Sequence, residues 1–532
     1  MTSDLMMGAR FLWALRRYLA HTLTLAEAEE QIRRHLRERE AGFLRVLRQG
    51  IFDHEPSPYR KLLAHYRIGY DDVAAWVRER GVEGALGSLY DAGVYVTLDQ
   101  FKGRAPIERP GFSLRTEAAN FDSPILTSYF AAETGGSGGT PRRIRVDLDA
   151  LGYEAAYALI AAQRLGQEIE PYAIWRPIPP AAAALKDVLR RAKAGLSIGR
   201  WFSQTDPHML RDKQAAFTGL MVRTLRFWGA RIAIPEHVPT EQAHVVARWL
   251  AQQTAAGRPG HMSLGASSAI RVCTTAQELG LDISGAMFRV GGEPHTEAKA
   301  QIIRQAGAHS INSYAMSEVG RIGVTCGNPS ALDQVHLVAD KMALIQRPPS
   351  GQRGDDSIGA FYLTTLLPTL PKLMLNVETG DYGVVEERDC GCPWSALGLH
   401  TCIHTIRSYE KLTTEGMHFT GADLLHLVEV VLPGRFGGAP ADYQLVEQEV
   451  DGLARVSLLV SPRVGAVDEA ALVETALHAL GARNAGTGMM AEIWQQAGAL
   501  RVERREPYVT SSAKIQPLHV RPSQYDAERM TT

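Results

Sequence analysis

Thr134-Gly135-Gly136-Ser137-Gly138-Gly139-Thr140-Pro141-Arg142-Arg143 is the stretch from which the fold of this chain is read. Four glycines let the backbone turn tightly and bring amide N–H groups close to an anion. Thr134, Ser137 and Thr140 add hydroxyl donors, while Arg142 and Arg143 add permanent positive charge. Those are the parts of a phosphate cradle. The Gly-Lys-Ser/Thr ending of a P-loop is missing, as is the strand–GxGxxG–helix order of a dinucleotide fold. By itself such a segment also suits a flexible surface loop, so its surroundings decide.

Downstream, β-prone runs alternate with helical patterns. Residues 231–235, 261–264, 286–290 and 309–314 read as strands, and 240–254, 266–279 and 296–306 as helices, the last closed by Gly307. Alternation of this kind implies βαβ units and at least one mainly parallel sheet. Upstream, Thr24-Leu25-Ala26-Glu27 has capping-box spacing, and Ala28, Ile32, Leu36, Phe43, Val46 and Leu47 follow helical spacing. Residues 1–120 therefore read as mostly helical, with a Pro/Gly-rich connection at 103–112. Beyond 407, β-like 454–460, helix-like 469–480 and β-like 500–504 suggest a compact α+β module.

Composition narrows the class. At ~150 residues per domain, 532 residues suggest roughly three or four compact units. Lys plus Arg total 57 against 58 Asp plus Glu, a net charge of -1 that argues against a broad nucleic-acid binder. With 45% apolar and 22% charged residues the chain is globular. Five cysteines are too few for a disulfide scaffold, and the odd count points to a reducing, cytoplasmic setting. No apolar run reaches the ~18–20 residues that span a bilayer. The hydrophobic stretch at 11–25 is interrupted by Arg16, Arg17 and His21, so a docked amphipathic helix is expected there rather than a signal peptide or membrane contact.

Four further segments stand in a telling order: Tyr314-Ala315-Met316-Ser317-Glu318, Thr379-Gly380-Asp381, Arg407 with Gly416, and Ala513-Lys514-Ile515. Together with Gly139-Thr140-Pro141-Arg142, the set resembles the adenylate-forming superfamily, closest to phenylacetate–CoA ligase-like enzymes, over about residues 134–515. The resemblance implies an α/β fold: a large lobe with mainly parallel sheets flanked by helices, and a small mobile α+β lobe. It divides the chain into a helical part of the large lobe at 1–120, a nucleotide- and acid-binding core at 121–406, and a small lobe at 407–532. The implied activity is ATP-dependent activation of a carboxylic acid as an acyl-adenylate, followed by transfer to CoA, with an aromatic or medium apolar acid expected. Transfer to an amine or a carrier-protein thiol, or a nucleotide-binding protein without turnover, are the alternatives. A homodimer is compatible with all of them.

The resemblance also assigns roles. Thr134 through Thr140 and Arg142 would hold the β- and γ-phosphates, Glu318 would bind Mg²⁺, Tyr314 would stack on adenine and Ser317 would reach the α-phosphate. Gly292, Glu293 and Pro294 would flank the adenine and the acyl pocket, expected near Trp201, Phe202 and 287–290. Asp381 would take the ribose hydroxyls, and Arg407 would reach ribose or phosphate at the lobe junction. Lys514 would bridge the carboxylate and α-phosphate. Arg142 stands where the pattern has Lys, Ala513 where it has Gly, Tyr409 at the hinge position, and Asn376-Val377 where the closest branch has Arg-Tyr. Cys326-x9-His336 and Cys390-x-Cys392 supply three thiolates and an imidazole, the donor set of a closed structural Zn²⁺ site, with Cys402, His400 and His404 as substitutes. Free buried cysteines are the alternative.

Overall fold

The computed structural model describes residues 13–126, 129–134, 142–178, 182–205, 212–348, 359–408, 411–414, 417–420, 424, 426–450, 453–482, 485–508 and 518–520. Gly135, Gly136, Ser137, Gly138, Gly139, Thr140, Tyr409, Glu410, Gly416, Ala513 and Lys514 lie outside these residues.

One sheet organises the large lobe. Its strands are β1 (Tyr172–Trp175), β2 (Arg200–Ser203), β3 (Pro235–His237), β4 (His261–Leu264), β5 (Met287–Gly291), β6 (His309–Met316), β7 (Gly320–Thr325), β8 (Val335–Leu337), β9 (Met342–Arg347), β10 (Ala360–Thr365), β11 (Val377–Glu387) and β12 (Thr401–Ser408). In space they lie in the order β9-β10-β11-β12-β8-β7-β6-β5-β4-β1-β2-β3. Strands β1 to β6 run parallel. The rest pair antiparallel. The parallel strands are covered on both faces, so β1 and β4 are buried at every position, as expected where helices flank a sheet. Helices Ala243–Ala255 and Ala266–Glu278 form one core layer with β4 and β5. Helices Ala182–Lys193 and Asp212–Phe227 form the opposite layer, joined by Leu15 and Tyr18 from the N-terminal stretch.

Three of the four strands read from sequence are close to their observed bounds. The fourth is displaced: instead of 231–235 the strand is Pro235–His237, and Ile232 makes only an isolated bridge to Ile198. The Thr24 capping box is formed, with the Glu27 amide donating to Thr24 Oγ1 at 3.3 Å and the Thr24 amide to Glu27 Oε2 at 2.9 Å. Helices Leu25–Arg37, Arg39–Leu47 and Tyr70–Asp91 then pack against the antiparallel half, so Val46, Leu86, Leu344 and Phe361 share one core. The 103–112 connection carries a small hairpin, Ile107–Arg109 with Phe112–Leu114. A separate four-stranded sheet, ordered Leu500–Arg504, Leu453–Val460, Tyr443–Val450, Leu518–Val520, packs with helices Glu469–Gly481 and Ala485–Gln496 around Trp494.

A buried ionic cluster ties the large lobe together. Glu154, on helix Leu148–Leu165, accepts from Lys341 Nζ at 2.8 Å, from Arg190 at 2.7 Å and from the Arg321 amide at 2.8 Å. Burial alone would raise the Glu154 pKa, but Lys341 and Arg190 hold it well below the usual carboxylate range. A carboxylate depressed in this way contributes stability that is complete above its ordinary value of 4.5 and is lost on acidification below it. Glu154→Gln leaves buried Lys341 without its carboxylate, whereas Arg190 keeps Asp187 at 2.6 Å, and is expected to cost about 3–5 kcal/mol in urea unfolding at neutral pH. Adding Lys341→Met should recover part of that loss; equal stability of Glu154→Gln and the parent would contradict the assignment.

Candidate active site and a Cys/His cluster

Chain order in the parallel half reverses at β1, which has β2 on one side and β4 on the other. In open α/β sheets such a switch point opens a crevice beyond the carboxyl ends of the strands, where ligands bind. The chain leaving β5 is Gly292-Glu293-Pro294, and the chain leaving β6 is Ser317-Glu318. Two of the sequence-expected segments therefore sit at this edge because of where their strands end.

Tyr314 near the end of β6 donates its hydroxyl to Asp381 Oδ2 at 3.0 Å. These residues are 67 positions apart in the chain and sit on strands separated by three others in the sheet. Burial, with the Asp381 charge beside it, raises the Tyr314 phenol well above its ordinary range, so it stays a donor. Asp381 lies in strand β11, where its amide donates to Thr379 Oγ1 at 3.2 Å and Thr379 Oγ1 donates to the Phe361 carbonyl at 3.2 Å. Arg407 is on the adjacent strand β12, opposite Tyr382. It lies 3.5 Å from Asp333, whose carboxylate also accepts the Thr405 and Ile406 amides at 2.8 and 2.9 Å. Nothing in the sequence pattern singles out Asp333.

Glu318 is buried, and its carboxylate is 3.5 Å from Lys102 Nζ. Lys186 Nζ donates to the Ser317 carbonyl at 2.7 Å and Lys341 Nζ to the Val319 carbonyl at 3.1 Å. Burial lowers the Lys186 pKa to about 8. Sequence reasoning missed both Lys102 and Lys186; the first lies in a region read only as mostly helical and the second in a stretch that no motif marks, and folding alone brings them to Glu318 and Ser317. A carboxylate at this edge is an oxygen donor of the kind Mg²⁺ takes. Glu293 turns inward instead: its carboxylate accepts the Ser267 amide at 3.2 Å and the Ser267 hydroxyl, and lies 3.6 Å from Lys299. The Pro294 carbonyl accepts Lys299 Nζ at 3.0 Å. Next in this turn, His295 is buried, which pushes its pKa down to about 3.

The expected acyl-pocket residues Trp201 and Phe202 are corrected by the structure. Both are fully buried on β2, Trp201 in one core layer and Phe202 in the other, where it meets Trp249 edge-on. An alternating strand sends neighbours to opposite faces, and both faces here are covered. The glycine-rich loop is approached by two strands, Tyr129–Thr134 and Arg142–Asp147, whose register pairs Thr134 with Arg142. Segment 509–517, carrying Lys514, is bounded by Tyr508, whose amide donates to Gln444 Oε1 at 2.7 Å, and by Leu518–Val520, which pairs with Leu445–Glu447. Asn376 departs from the expected Arg-Tyr for a visible reason. It takes φ 48° and donates to the Leu86 and Val94 carbonyls at 2.8 and 3.2 Å, anchoring helix Tyr70–Asp91 to the start of β11.

At the far end of the antiparallel half, Cys326, His336, Cys390 and Cys392 are all buried, with their ligand atoms within 4.8 Å of one another. Cys326 Sγ is 3.5 Å from Cys390 Sγ, and His336 Nε2 is 3.4 Å from Cys390 Sγ and 3.3 Å from Cys392 Sγ. Those edges match a tetrahedron around Zn²⁺, for which bonds of ~2.0–2.3 Å imply edges of about 3.4–3.8 Å. His336 Nδ1 is 2.8 Å from the Leu399 carbonyl, which directs Nε2 to the sulfurs. The Asn328 amide and the Ser395 hydroxyl lie 3.4 and 3.2 Å from Cys326 and Cys390 Sγ. Hydrogen bonding to Cys326, with His336 beside it, holds the Cys392 thiol below its ordinary range and so favours the thiolate, the form that binds a metal. Gly327 packs closely here, since a Cβ there would meet Leu165 Cδ2 at 2.5 Å and Cys392 Cβ at 3.1 Å. The proposed substitutes stand elsewhere: Cys402 is 3.6 Å from Nδ1 on the other side of the imidazole, His400 is exposed, and His404 faces Glu386 at 3.9 Å.

No family model matches the chain, and no curated protein matches it. Solved structures do. A 2-hydroxyisobutyryl-CoA ligase in complex with 2-HIB-AMP and CoA superposes with a TM-score of 0.57 at 14% identity, covering 96% of this chain and 94% of that one. An anthranilate CoA ligase in complex with anthranoyl-AMP (TM-score 0.36, 13% identity, 73% and 65% covered) and an amide bond synthetase from Marinactinospora thermotolerans (0.31, 15%, 74% and 68%) are also found. The fold statement rests on the first. With its split twelve-stranded sheet and separate C-terminal sheet, the chain has the fold of the adenylate-forming enzymes.

Proposed function

We propose that this protein activates a carboxylic acid with ATP and passes the acyl group to a thiol, CoA being the expected acceptor and an aromatic or medium apolar acid the expected substrate. The observation that carries the proposal is the Tyr314–Asp381 hydrogen bond, which joins two separate sequence motifs at one strand edge, beside the chain that leads to buried Glu318. The similar fold of a ligase crystallised with an acyl-AMP and CoA supports it. In the first step an acid oxygen attacks the α-phosphorus of ATP, and the bond to the bridging oxygen breaks with pyrophosphate leaving. In the second, a thiol attacks the acyl carbonyl and AMP departs.

In this reading Asp381 accepts ribose hydroxyls while Tyr314 holds it in place and presents its ring to adenine. Ser317 and the 134–142 loop contact phosphates, with Thr134 and Arg142 at the loop's paired ends. Arg407 adds positive charge at the lobe junction, and Lys514 stabilises charge between carboxylate and α-phosphate. Glu318 would hold Mg²⁺, which neutralises the polyphosphate when bound. Gly292 and the backbone of Pro294 border the adenine, whereas the Glu293 carboxylate shapes that turn through Ser267. No described helix is long and apolar enough to cross a membrane.

The test is pyrophosphate exchange into ATP across a panel of acids. Exchange with an aromatic or medium apolar acid is expected, with Asp381→Asn and Lys514→Ala each reducing it by at least about a hundredfold. Absence of exchange with every acid would leave a nucleotide-binding protein without turnover. Product analysis with CoA, amines or carrier protein then identifies the acceptor. Tyr314→Phe should raise KM for ATP more than it lowers kcat.

The Cys/His cluster fits a structural Zn²⁺ held by Cys326, His336, Cys390 and Cys392, linking the end of β7, strand β8 and the β11–β12 connection. Protein purified without chelator should contain about one equivalent of zinc, lost in Cys390→Ser/Cys392→Ser with a fall in Tm. A metal-free preparation of full stability would reject the site.

A further inference from the structure

The switch-point strand β1 ends at Trp175, and the residue that leaves it is Arg176. Ligands bind beyond the carboxyl ends of the strands at such a point, so this side chain stands at the mouth of the crevice. The Arg176 amide donates to the Phe202 carbonyl of β2 at 3.2 Å, which fixes the base of the side chain. The guanidinium reaches the other way, across the end of β4, where Nε donates to Ser263 Oγ at 3.1 Å and Nη2 to the Leu264 carbonyl at 2.8 Å. Both partners are neutral. Nη1 donates to nothing among the described residues, and the side chain is only half-buried, so the tip of the fork is left for a ligand.

Among the described residues Arg176 is in no ion pair, and the carboxylates whose charge reaches it, Asp187 and Glu293, are engaged elsewhere. Glu293 lies 3.6 Å from Lys299 and accepts from Ser267. Asp187 is held by Arg190 at 2.6 Å and by Arg289. The rest of that network gives no relief: Glu168 already faces Arg289 at 3.1 Å and Arg191 at 3.7 Å, and Glu154 serves Arg190 and Lys341. Burial, with the like charge of Arg289 beside it, pulls the Arg176 pKa down to about 10, which still leaves a cation at neutral pH. A charge kept from water without a counter-ion is costly, so an arginine held in this state at a ligand crevice marks the place of an anion.

Strand β5 alone separates β4 from β6. At ~4.8 Å per strand, a guanidinium lying on the end of β4 is about 10 Å from the end of β6, where Ser317 and Glu318 leave. We propose that Arg176 selects the acid: it receives a second carboxylate, at the end of the substrate remote from the one that is adenylated. This rests on the reading of the β6 end as the adenylation site, since a reacting carboxylate there is too far away to be the partner of Arg176. Nη1 and the unused hydrogen of Nη2 form the fork that a carboxylate takes in bidentate fashion. The substrate class is therefore a dicarboxylate with a short aliphatic or single-ring spacer, medium-sized but charged at its far end.

The experiment is pyrophosphate exchange into ATP by the full-length protein, with adipate compared to hexanoate and terephthalate to 4-methylbenzoate. Each dicarboxylate should show a kcat/KM at least about tenfold above that of its monoacid partner. Arg176→Met, which removes the charge at similar length, should bring that ratio down to about one by raising KM for the dicarboxylate, and Arg176→Lys should recover part of it. Where Arg176→Met lowers Tm, Arg176→Gln, which keeps a donor for the Leu264 carbonyl, repeats the comparison. Exchange without preference for a dicarboxylate, or a preference that survives in the uncharged variants, overturns the proposal and leaves adenylation standing. Absence of exchange with every acid overturns both.

Discussion

The Glu154 carboxylate is the contact around which the large lobe is arranged. It sits in the middle of a helix that is apolar around much of its circumference, and it receives a lysine from the start of β9, an arginine from helix Ala182–Lys193 and a main-chain amide from β7. Gly320 makes the approach feasible: with φ 77°, it would place a Cβ 1.9 Å from Glu154 Oε1 if it were any other residue. The turn carrying Ser317, Glu318 and Val319 is therefore moulded onto a buried charge. Removing water from so many charges is costly, and a cluster survives it only when each charge meets an opposite one at hydrogen-bonding distance.

From that centre the two halves of the sheet acquire different tasks. The parallel half is built from repeated strand–helix units, and its strand ends present Gly292-Glu293-Pro294 and Ser317-Glu318 along one edge. The antiparallel half supplies Asp381 and Arg407 from neighbouring strands and ends in the Cys/His cluster. Tyr314 belongs to the strand at which parallel pairing gives way to antiparallel pairing, and its hydroxyl spans the halves. Strands rather than loops hold these groups, which favours a preformed geometry.

Strands β4, β5 and β6 of the parallel half were legible because short β-prone runs there are separated by amphipathic helices, the last bounded by Thr296 and Gly307, whereas β1 and β2 were not read and β3 was displaced. The 454–460, 469–480 and 500–504 elements of the C-terminal module were also legible, as an apolar strand, a capped helix and a β-prone run. The antiparallel strands were not: β11 mixes buried and half-exposed positions over Val377–Glu387, including two adjacent glutamates, and its pairing is interrupted by a register shift. Trp201 and Phe202 misled because aromatic size suggests a pocket as readily as a core, and only the covered faces of β2 distinguish them.

By itself, the sequence determined the order of the five motifs, the strand–helix alternation and the four metal-type donors, all of which are properties of spacing along one chain. Tertiary structure decided what those residues face. Lys102 and Lys186 reach Glu318 and Ser317, Asp333 engages Arg407, Glu293 turns to Ser267, and Asn376 locks the helical region to β11. These pairings join residues from 26 to 290 positions apart. Short-range periodicity carries no information at that range; charge neutralisation and hydrogen-bond satisfaction in the buried interior select the partners.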